Sequence, residues 1–265
     1  MILRVVLYTF LAILVSGCVS ANTVKSINYY DKKEVSLDAE TYIVGTEAKS
    51  TVIVLHGSGG VDSHHRDWAK TINSWGYNAV VFDSFRPRGV SEVTTRPLEV
   101  PFLQRAIDAE MVARWTLQQK WSNGKLCVIG FSHGGVTVLS INMKGQLSTE
   151  LDRRHSFNCG VNYYGIPLMD HLLSETTIPM QIHVGSNDGS NDINRNIDFS
   201  KKYNSQTELY IYQGAEHGFD RVATDIRVRG TPGLVKGGYY SIKSDPKSRE
   251  ESLVRVKEFF DKHLN

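Results

Sequence analysis

Short apolar runs alternate along the chain with stretches in which apolar residues recur every three or four positions. The short runs predict buried β-strands, and in chain order they are Thr51–Leu55, Asn78–Phe82, Leu126–Ile129, Cys159–Tyr164, Met180–Val184 and Glu208–Tyr212. Strands that alternate with helices in this way form a parallel sheet with helices on both faces. The pattern therefore predicts an α/β fold with a mostly parallel central sheet, preceded by a polar hairpin region at Ile27–Tyr30 and Tyr42–Val44.

The periodic stretches between the strands predict the helices. In chain order these are Asp67–Trp75, a long helix with apolar residues every four positions from Leu103 to Trp115, Gly134–Met143, Ile193–Tyr203 and a closing helix. The closing helix opens on Ser248 and Glu251 in capping-box spacing. The segment between Phe219 and Pro246 has no clear periodicity, so we expect a functional or poorly ordered loop there.

The first seventeen residues form a leader rather than part of the fold. Arg4 precedes the apolar run Val5–Val15, which is too short to span a bilayer but suits the core of a signal peptide. The run ends in LVSGC, which resembles the lipobox of bacterial lipoproteins, where the cysteine becomes lipidated. The resemblance implies that residues 1–17 are removed before Cys18 and that 18–265 form a single domain. An ordinary signal peptide, or an uncleaved anchor beside an incidental cysteine, is the alternative.

A lipid on Cys18 would hold the domain at a membrane surface without a transmembrane helix. Val19, rather than an aspartate, follows the cysteine, which in such lipoproteins implies the outer membrane, with the domain facing the periplasm. The other two cysteines, Cys127 and Cys159, lie in strand-like runs without metal or redox spacing. They are either buried thiols or a disulfide, whose geometry the sequence cannot establish.

Composition narrows the class of function only slightly. The 265 residues are 41% hydrophobic and 22% charged, which is ordinary for one globular domain. A formal net charge of +2, from 30 basic and 28 acidic residues, gives no field that would favour a nucleic acid partner. No motif implies a metal or an organic cofactor.

The sequence GFSHG at 130–134 carries the clearest chemistry. It matches the pattern GxSxG and lies between a strand that ends at Ile129 and a helix that begins near Gly134. This is the setting of a nucleophile on a sharp strand-to-helix turn. Glycines are needed on such a turn where a Cβ would collide with the neighbouring strand and helix. Ser132 is therefore the candidate nucleophile, exposed at the carboxyl edge of the sheet.

A serine hydroxyl needs a base to take its proton, and the base needs an acid that holds its tautomer. His217 follows the last predicted strand, and Asp188 follows the strand before it. The chain order serine, aspartate, histidine is that of the α/β-hydrolases. Asp192 is the alternative acid, but it lies farther from the strand end and better suits the cap of the next helix. We expect Ser132, Asp188 and His217 to form a catalytic triad.

A developing oxyanion needs preorganised backbone donors. The glycine-rich sequence HGSGG at 56–60 follows the strand Thr51–Leu55 and can approach the site closely. We expect the amides of Ser58 and His133 to be the two donors, with the His133 side chain as a wall of the site. The alternative, a phosphate-binding loop, lacks the Lys-Ser or Lys-Thr that would follow it, and GSGG is not GxGxxG.

Taken together, these motifs resemble the dienelactone hydrolase family. The resemblance runs from about Thr51 to Phe219 and includes HGSGG, DSF with a following PRG, GFSHGG, GSND and GAEHGF. It implies an α/β-hydrolase fold without a large cap domain, with the triad and the two oxyanion donors at the positions given above. The best-known members use cysteine as the nucleophile, whereas this chain has serine. That difference favours a plain ester or lactone over dienelactone itself as the small-molecule substrate.

Arg86 and Arg88 follow the strand that ends at Phe82, and either could bind a substrate carboxylate through a bidentate pair. Solvated arginines or a structural ion pair are equally open. Tyr164, after its own strand, lines a pocket or packs in the core. The expected activity is hydrolysis of a small ester through an acyl-enzyme intermediate, by a membrane-anchored enzyme. A peptidase similar to prolyl oligopeptidases and a non-catalytic binding lipoprotein on the same fold are the alternatives.

Overall fold

A central sheet of eight strands dominates the computed structural model, which describes residues 18–142, 156–168, 178–231 and 235–265. In chain order the strands are β1 (Cys18–Ile27), β2 (Glu34–Ile43), β3 (Lys49–Leu55), β4 (Asn78–Phe82), β5 (Ser122–Phe131), β6 (Cys159–Tyr163), β7 (Met180–Gly185) and β8 (Thr207–Tyr212). They lie side by side in the order β1-β2-β4-β3-β5-β6-β7-β8. All neighbouring pairs from β4 across to β8 are parallel, whereas β2 pairs antiparallel with both β1 and β4. The predicted, mostly parallel sheet is confirmed.

Within the described ranges, five α-helices cover the two faces of this sheet. They are α1 (Ser63–Ser74), α2 (Phe102–Leu117), α3 (His133–Ile141), α4 (Ile193–Lys202) and α5 (Pro246–Leu264). Helices α2, α3 and α4 pack on one face through residues such as Ile107, Val138 and Phe199. Helices α1 and α5 pack on the other face through residues such as Ile72 and Phe260. Burial on both faces is why the parallel strands have continuous apolar sequences.

The N-terminal hairpin is longer than the sequence pattern predicted. Strands β1 and β2 pair along their full lengths, from Cys18 opposite Ile43 to Ile27 opposite Glu34. Over most of this edge hairpin only alternate residues, such as Leu37 and Ala39, are buried, so its apolar signal is weak. The predicted leader, residues 1–17, lies outside the described residues, and no helix in the described ranges is long and apolar enough to cross a membrane.

The closing helix begins one turn earlier than predicted. It starts at Pro246, and the carboxylate of Asp245 accepts the N–H of Ser248 at 3.0 Å. The capping box expected at Ser248 is wrong because Asp245 already satisfies a backbone donor of the first turn. Asp192 caps α4 as predicted, accepting the N–H of Asn194 at 3.0 Å.

The segment expected to be a loop between Phe219 and Pro246 contains a two-stranded sheet. Strand β9 (Asp225–Arg229) pairs antiparallel with β10 (Tyr239–Lys243). A bridge between Ile242 and His217 joins this hairpin to the loop after β8. The loop expectation is wrong because both strands are short and Tyr240 is their one buried residue, so they show little apolar periodicity.

The two strands at the centre of the site carry a covalent link. Cys127 on β5 lies directly opposite Cys159 on β6, and the two form a disulfide. Of the two possibilities that the sequence left open, the structure has the disulfide.

Candidate active site

Ser132 lies on the turn between β5 and α3 in a rare backbone conformation. Its φ is 54° and its ψ is −113°, which costs a non-glycine residue free energy that the surrounding structure must supply. A Cβ on Gly130 would overlap the carbonyl of Gly134, and a Cβ on Gly134 would lie 2.7 Å from the carbonyl oxygen of His56. The N–H of Ser132 donates to the carbonyl of Tyr163 at 2.9 Å. The glycines therefore permit the turn, and β6 holds it in place.

Asp188 and His217 form a hydrogen-bonded pair at the carboxyl edge of the sheet. Asp188 follows β7, His217 follows β8, and Oδ2 of Asp188 lies 2.7 Å from Nδ1 of His217. Both side chains are almost fully buried, and little water competes for such a bond. The bond places the proton on Nδ1, so Nε2 of His217 is free to accept another.

Ser190 supports this pair, and the sequence analysis missed it. Its hydroxyl donates to Oδ1 of Asp188 at 2.9 Å and lies 2.8 Å from Nδ1 of His217. Its N–H also donates to Oδ1 of Asp188, at 2.9 Å. The carboxylate is thus held at both oxygens. A serine two residues after an aspartate is an ordinary turn sequence, so no local signal distinguished it.

Two cavities meet at Ser132. The larger, of about 230 Å³, is lined by Ser132 and His217 together. The smaller, of about 90 Å³, extends over His133. Tyr164 and Tyr240 line both cavities, and burial, followed by the charge of Asp188, raises the pKa of Tyr240 to about 12. Tyr164 therefore lines a pocket and also packs in the core, so it does both of the things that the sequence left open.

The β9–β10 hairpin forms one wall of the larger cavity. Ile226, Val228 and Ile242 face the cavity from this hairpin, opposite the glycine turn that follows β3. A Cβ on Gly218 would lie 2.6 Å from the side chain of Ile242, so the glycine after His217 lets the hairpin approach. The hairpin thus gives the site an apolar wall that the sequence analysis did not predict.

The two amides expected to bind an oxyanion flank Ser132. Ser58 and His133 both line the smaller cavity with Ser132. His133 is the first residue of α3, where backbone N–H groups have no partner within the helix. In the described part of the chain, no hydrogen bond uses the N–H of Ser58, whereas that of Gly57 donates to Nε2 of His65 at 3.2 Å. Two unbonded amides beside a hydroxyl can bind an anionic oxygen.

The His133 side chain lines the smaller cavity, as expected, but is firmly held. Its ring lies 4.2 Å from the ring of Phe102, and its Nε2 lies 2.9 Å from the carbonyl oxygen of Pro97. Burial, followed by the charge of Arg105, holds the pKa of His133 well below its ordinary value. His133 is therefore neutral, and its own contacts occupy both ring nitrogens. It cannot compete with His217 as a base.

Neither Arg86 nor Arg88 is among the described residues that line the two cavities. Nη1 and Nη2 of Arg88 each lie 2.9 Å from an oxygen of the buried Asp108. Arg86 is largely exposed. The prediction that they bind a substrate carboxylate is wrong, because the turn after β4 directs Arg88 to α2 and Arg86 to solvent. The arginine in the wall of the larger cavity is Arg221.

Tyr164 belongs to a buried network around Asp220. Its hydroxyl donates to Oδ1 of Asp220 at 2.8 Å, and Oδ2 accepts Nε1–H of Trp68 at 2.7 Å and contacts Nε2 of His64 at 2.6 Å. Burial alone would raise the pKa of Asp220, but the charge and hydrogen bonds of these partners outweigh burial and hold it well below the ordinary value. The network ties the loop after His217 to α1. It, too, was missed by the sequence analysis.

The described residues include one cluster of side chains that could together bind a metal ion. It consists of Asp62, His64 and His65, whose ligand atoms lie within 4.8 Å of one another. Their hydrogen bonds do not suit a cation. Nε2 of His65 accepts the N–H of Gly57 at 3.2 Å, and its Nδ1 lies 3.1 Å from the backbone nitrogen and 2.7 Å from the carboxylate of Asp62, so both ring nitrogens are already engaged. The other oxygen of Asp62 accepts from Arg221 at 3.0 Å. The cluster therefore holds the glycine turn in place rather than a metal ion.

Comparisons with known proteins agree with this geometry. The model of the dienelactone hydrolase family matches residues 39–264. A solved dienelactone hydrolase from Anabaena variabilis is 19% identical, with a TM-score of 0.68 over 94% of this chain and 100% of that chain. A dienelactone hydrolase-like promiscuous phosphotriesterase from metagenomic libraries is 16% identical, with a TM-score of 0.69 over 94% and 100%.

A third structure, Thermogutta terrifontis esterase 2 phosphorylated by paraoxon, is 15% identical, with a TM-score of 0.66 over 91% of this chain and 94% of that chain. No curated protein sequence matches the chain significantly. At these identities the solved structures establish the shared α/β-hydrolase fold alone. The family model, in contrast, spans most of the sequence, and so the chain belongs to the dienelactone hydrolase family.

Proposed function

We propose that this protein is a serine hydrolase that cleaves a small carboxylic ester or lactone through an acyl-enzyme intermediate. Family membership and the esterase among the similar structures support an ester hydrolase. The observation that carries the proposal is the 2.7 Å bond between Asp188 and His217, at the cavity that His217 shares with Ser132.

In the proposed reaction, Oγ of Ser132 attacks the carbonyl carbon while Nε2 of His217 takes the hydroxyl proton. Asp188 holds the tautomer of His217 and stabilises the imidazolium. The carbonyl oxygen becomes an oxyanion, which the amides of Ser58 and His133 bind. The intermediate collapses, and the alcohol leaves with the proton from His217. A water molecule, deprotonated by His217, then attacks the acyl group and releases the acid and free Ser132.

The two cavities support an assignment of the two halves of the ester. The leaving alcohol must receive its proton from His217, so it belongs in the larger cavity, which His217 lines. The acyl group then enters the smaller cavity, whose apolar walls include Phe102, Val136 and Ile166. A cavity of about 90 Å³ favours a short apolar acyl chain. Acetate and butyrate esters should therefore turn over faster than octanoate esters.

Hydrolysis of p-nitrophenyl acetate by the purified protein tests the proposal. Ser132→Ala should lower kcat by at least about 10⁴-fold, whereas Ser74→Ala, which removes an exposed hydroxyl on α1, should not change it. Mass spectrometry should place a paraoxon or fluorophosphonate adduct on Ser132. A folded protein with neither turnover nor adduct would reject catalysis and favour the binding protein. Cleavage of prolyl peptides without cleavage of esters would favour the peptidase.

We also propose that the protein is exported and anchored through a lipid on Cys18. The disulfide between Cys127 and Cys159 supports an oxidising compartment such as the periplasm. Cells fed labelled palmitate should yield labelled wild-type protein, and Cys18→Ser should lose the label and leave the membrane fraction. Persistent labelling in the variant would reject the anchor.

A further inference from the structure

A fully buried arginine, Arg105 on α2, lies behind the site. Its side chain has no exposed surface. No acidic group in the described ranges lies within ion-pair distance of it. Arginine is almost never fully buried unless it is paired, because removing a charge from water is costly. We therefore expect this buried cation to have a function that offsets the free-energy cost of its burial.

The guanidinium of Arg105 joins the two chain segments that carry the candidate oxyanion donors. Nη1 lies 2.7 Å from Nδ1 of His133, and Nη2 donates to the carbonyl oxygen of His56 at 2.7 Å. His133 supplies one donor amide, and His56 opens the glycine turn that supplies the other, at Ser58. Nε of Arg105 has no hydrogen-bond partner in the described ranges. In the described part of the chain, each hydrogen bond of the guanidinium is thus to one of these two segments.

The surroundings leave the charge of Arg105 without a close counterion. Burial, followed by the charge of Arg105 itself, holds the pKa of His56 and of His133 well below the ordinary value, so both rings are neutral. Burial lowers the pKa of Arg105 to about 9, while Asp108 and Asp83 act on it to raise the pKa from farther away. The guanidinium is therefore still protonated at neutral pH.

We propose that Arg105 is a positioning residue for the oxyanion hole, which fixes both donor segments and directs its positive charge toward the oxygen that becomes anionic. This inference rests on the proposed function. A buried cation acts strongly because little water screens it. Its burial is unfavourable in the resting enzyme, and the negative charge of the tetrahedral intermediate offsets that cost. The effect therefore favours the transition state over the bound substrate.

Arg105→Met and Arg105→Lys separate the charge from the packing. We expect Arg105→Met to lower kcat about 100-fold at unchanged KM, as loss of an oxyanion donor does. Arg105→Lys keeps the cation, so its kcat should fall about tenfold or less. Arg66→Met is the matched control: among the described residues Arg66 bonds only Glu40 and lines neither cavity, so its loss should leave kcat unchanged. Circular dichroism checks folding, and Arg105→Gln replaces Arg105→Met if the latter does not fold.

The outcomes distinguish this inference from the function on which it rests. A wild-type protein that neither hydrolyses esters nor labels at Ser132 would reject both. With an active wild type, a folded neutral Arg105 variant with normal kcat would reject the role of Arg105 alone. Equal losses in the lysine and neutral variants would also reject it, because packing would then explain them, and so would a change confined to KM. A loss of kcat that lysine partly restores supports it.

Discussion

Replacing Asp220 with asparagine tests the buried network behind the site. The side chain of Asp220 is fully buried, and its carboxylate has three partners, the hydroxyl of Tyr164, the indole of Trp68 and the imidazole of His64. Asparagine can keep the bond from Tyr164 at its oxygen, but its NH₂ group then faces the N–H of Trp68. The same NH₂ group faces Nε2 of His64, whose other ring nitrogen, Nδ1, is buried and has no partner in the described ranges.

The expected loss of stability follows from these bonds. A hydrogen bond to a charged group contributes about 1.5–3 kcal/mol, and the substitution removes two of the three. Because asparagine fills the same space, no cavity adds to the loss. We expect the free energy of unfolding to fall by about 3 kcal/mol, which corresponds to a decrease in Tm of roughly 6–12 °C for a chain of this size.

The difference between wild type and Asp220→Asn should depend on pH. The pKa of Asp220 in the fold lies well below the ordinary value of 3.8, so the unfolded chain binds this proton more readily. The stability that Asp220 contributes is therefore complete above 3.8 and is lost as the pH falls toward the folded pKa. The advantage of wild type over the variant should shrink once the pH drops below that value.

Urea unfolding, followed by tryptophan fluorescence at neutral and acid pH, measures both effects. Asp225→Asn is the control, because its carboxylate is exposed and its ion-pair partner, Lys243, lies 3.7 Å away; its effect should stay within about 0.5 kcal/mol. A loss below about 1 kcal/mol for Asp220→Asn would refute the reasoning. So would full additivity with Trp68→Phe, since partners in one network should be coupled.

Two further substitutions test the site at single positions. Ser190→Ala removes two contacts of the Asp188–His217 pair but leaves their own bond, so kcat for nitrophenyl acetate should fall about tenfold; a drop as large as that of Ser132→Ala would mean that Ser190 itself reacts. Gly134→Ala brings a Cβ within 2.7 Å of the His56 carbonyl oxygen, whereas a Cβ on Gly59 meets nothing within 4 Å. Circular dichroism and yield should therefore show loss of folded protein for Gly134→Ala only, and a folded Gly134→Ala would contradict the packing of this turn.

The parallel strands and the turn at Ser132 could be predicted because each is marked by a pattern of residues within one short segment of the sequence. Strands β4, β6 and β7 are buried at every position, so a short stretch rich in apolar residues is enough to indicate each of them. The turn at Ser132 needs glycines at fixed positions on either side. The β1–β2 and β9–β10 hairpins have weaker apolar patterns because one face of each is exposed. For that reason the sequence analysis underestimated the length of the β1–β2 hairpin and did not predict the β9–β10 hairpin.

The partners of the site residues could not be predicted, because they depend on which strands are neighbours. The sheet places β3 between β4 and β5, and this brings the turn at His56 against the start of α3. Nothing in the sequence around Arg105 indicates that its guanidinium reaches both segments. The failed prediction for Arg88 has the same origin: its position after β4 suggested the site, but its partner, Asp108, lies on α2.

These long-range contacts all fix the positions of loops at the site. The loops at the carboxyl edge of the sheet lack the regular backbone hydrogen bonds of strands and helices, so other groups must fix their positions. Buried side chains do this here: Arg105 bonds the carbonyl of His56, His65 bonds the N–H of Gly57, and Asp220 bonds Tyr164. A reacting group displaced by about 1 Å loses on the order of 100-fold in rate. Changes at these anchors should therefore reduce kcat more steeply than changes of equal thermodynamic cost in the apolar core.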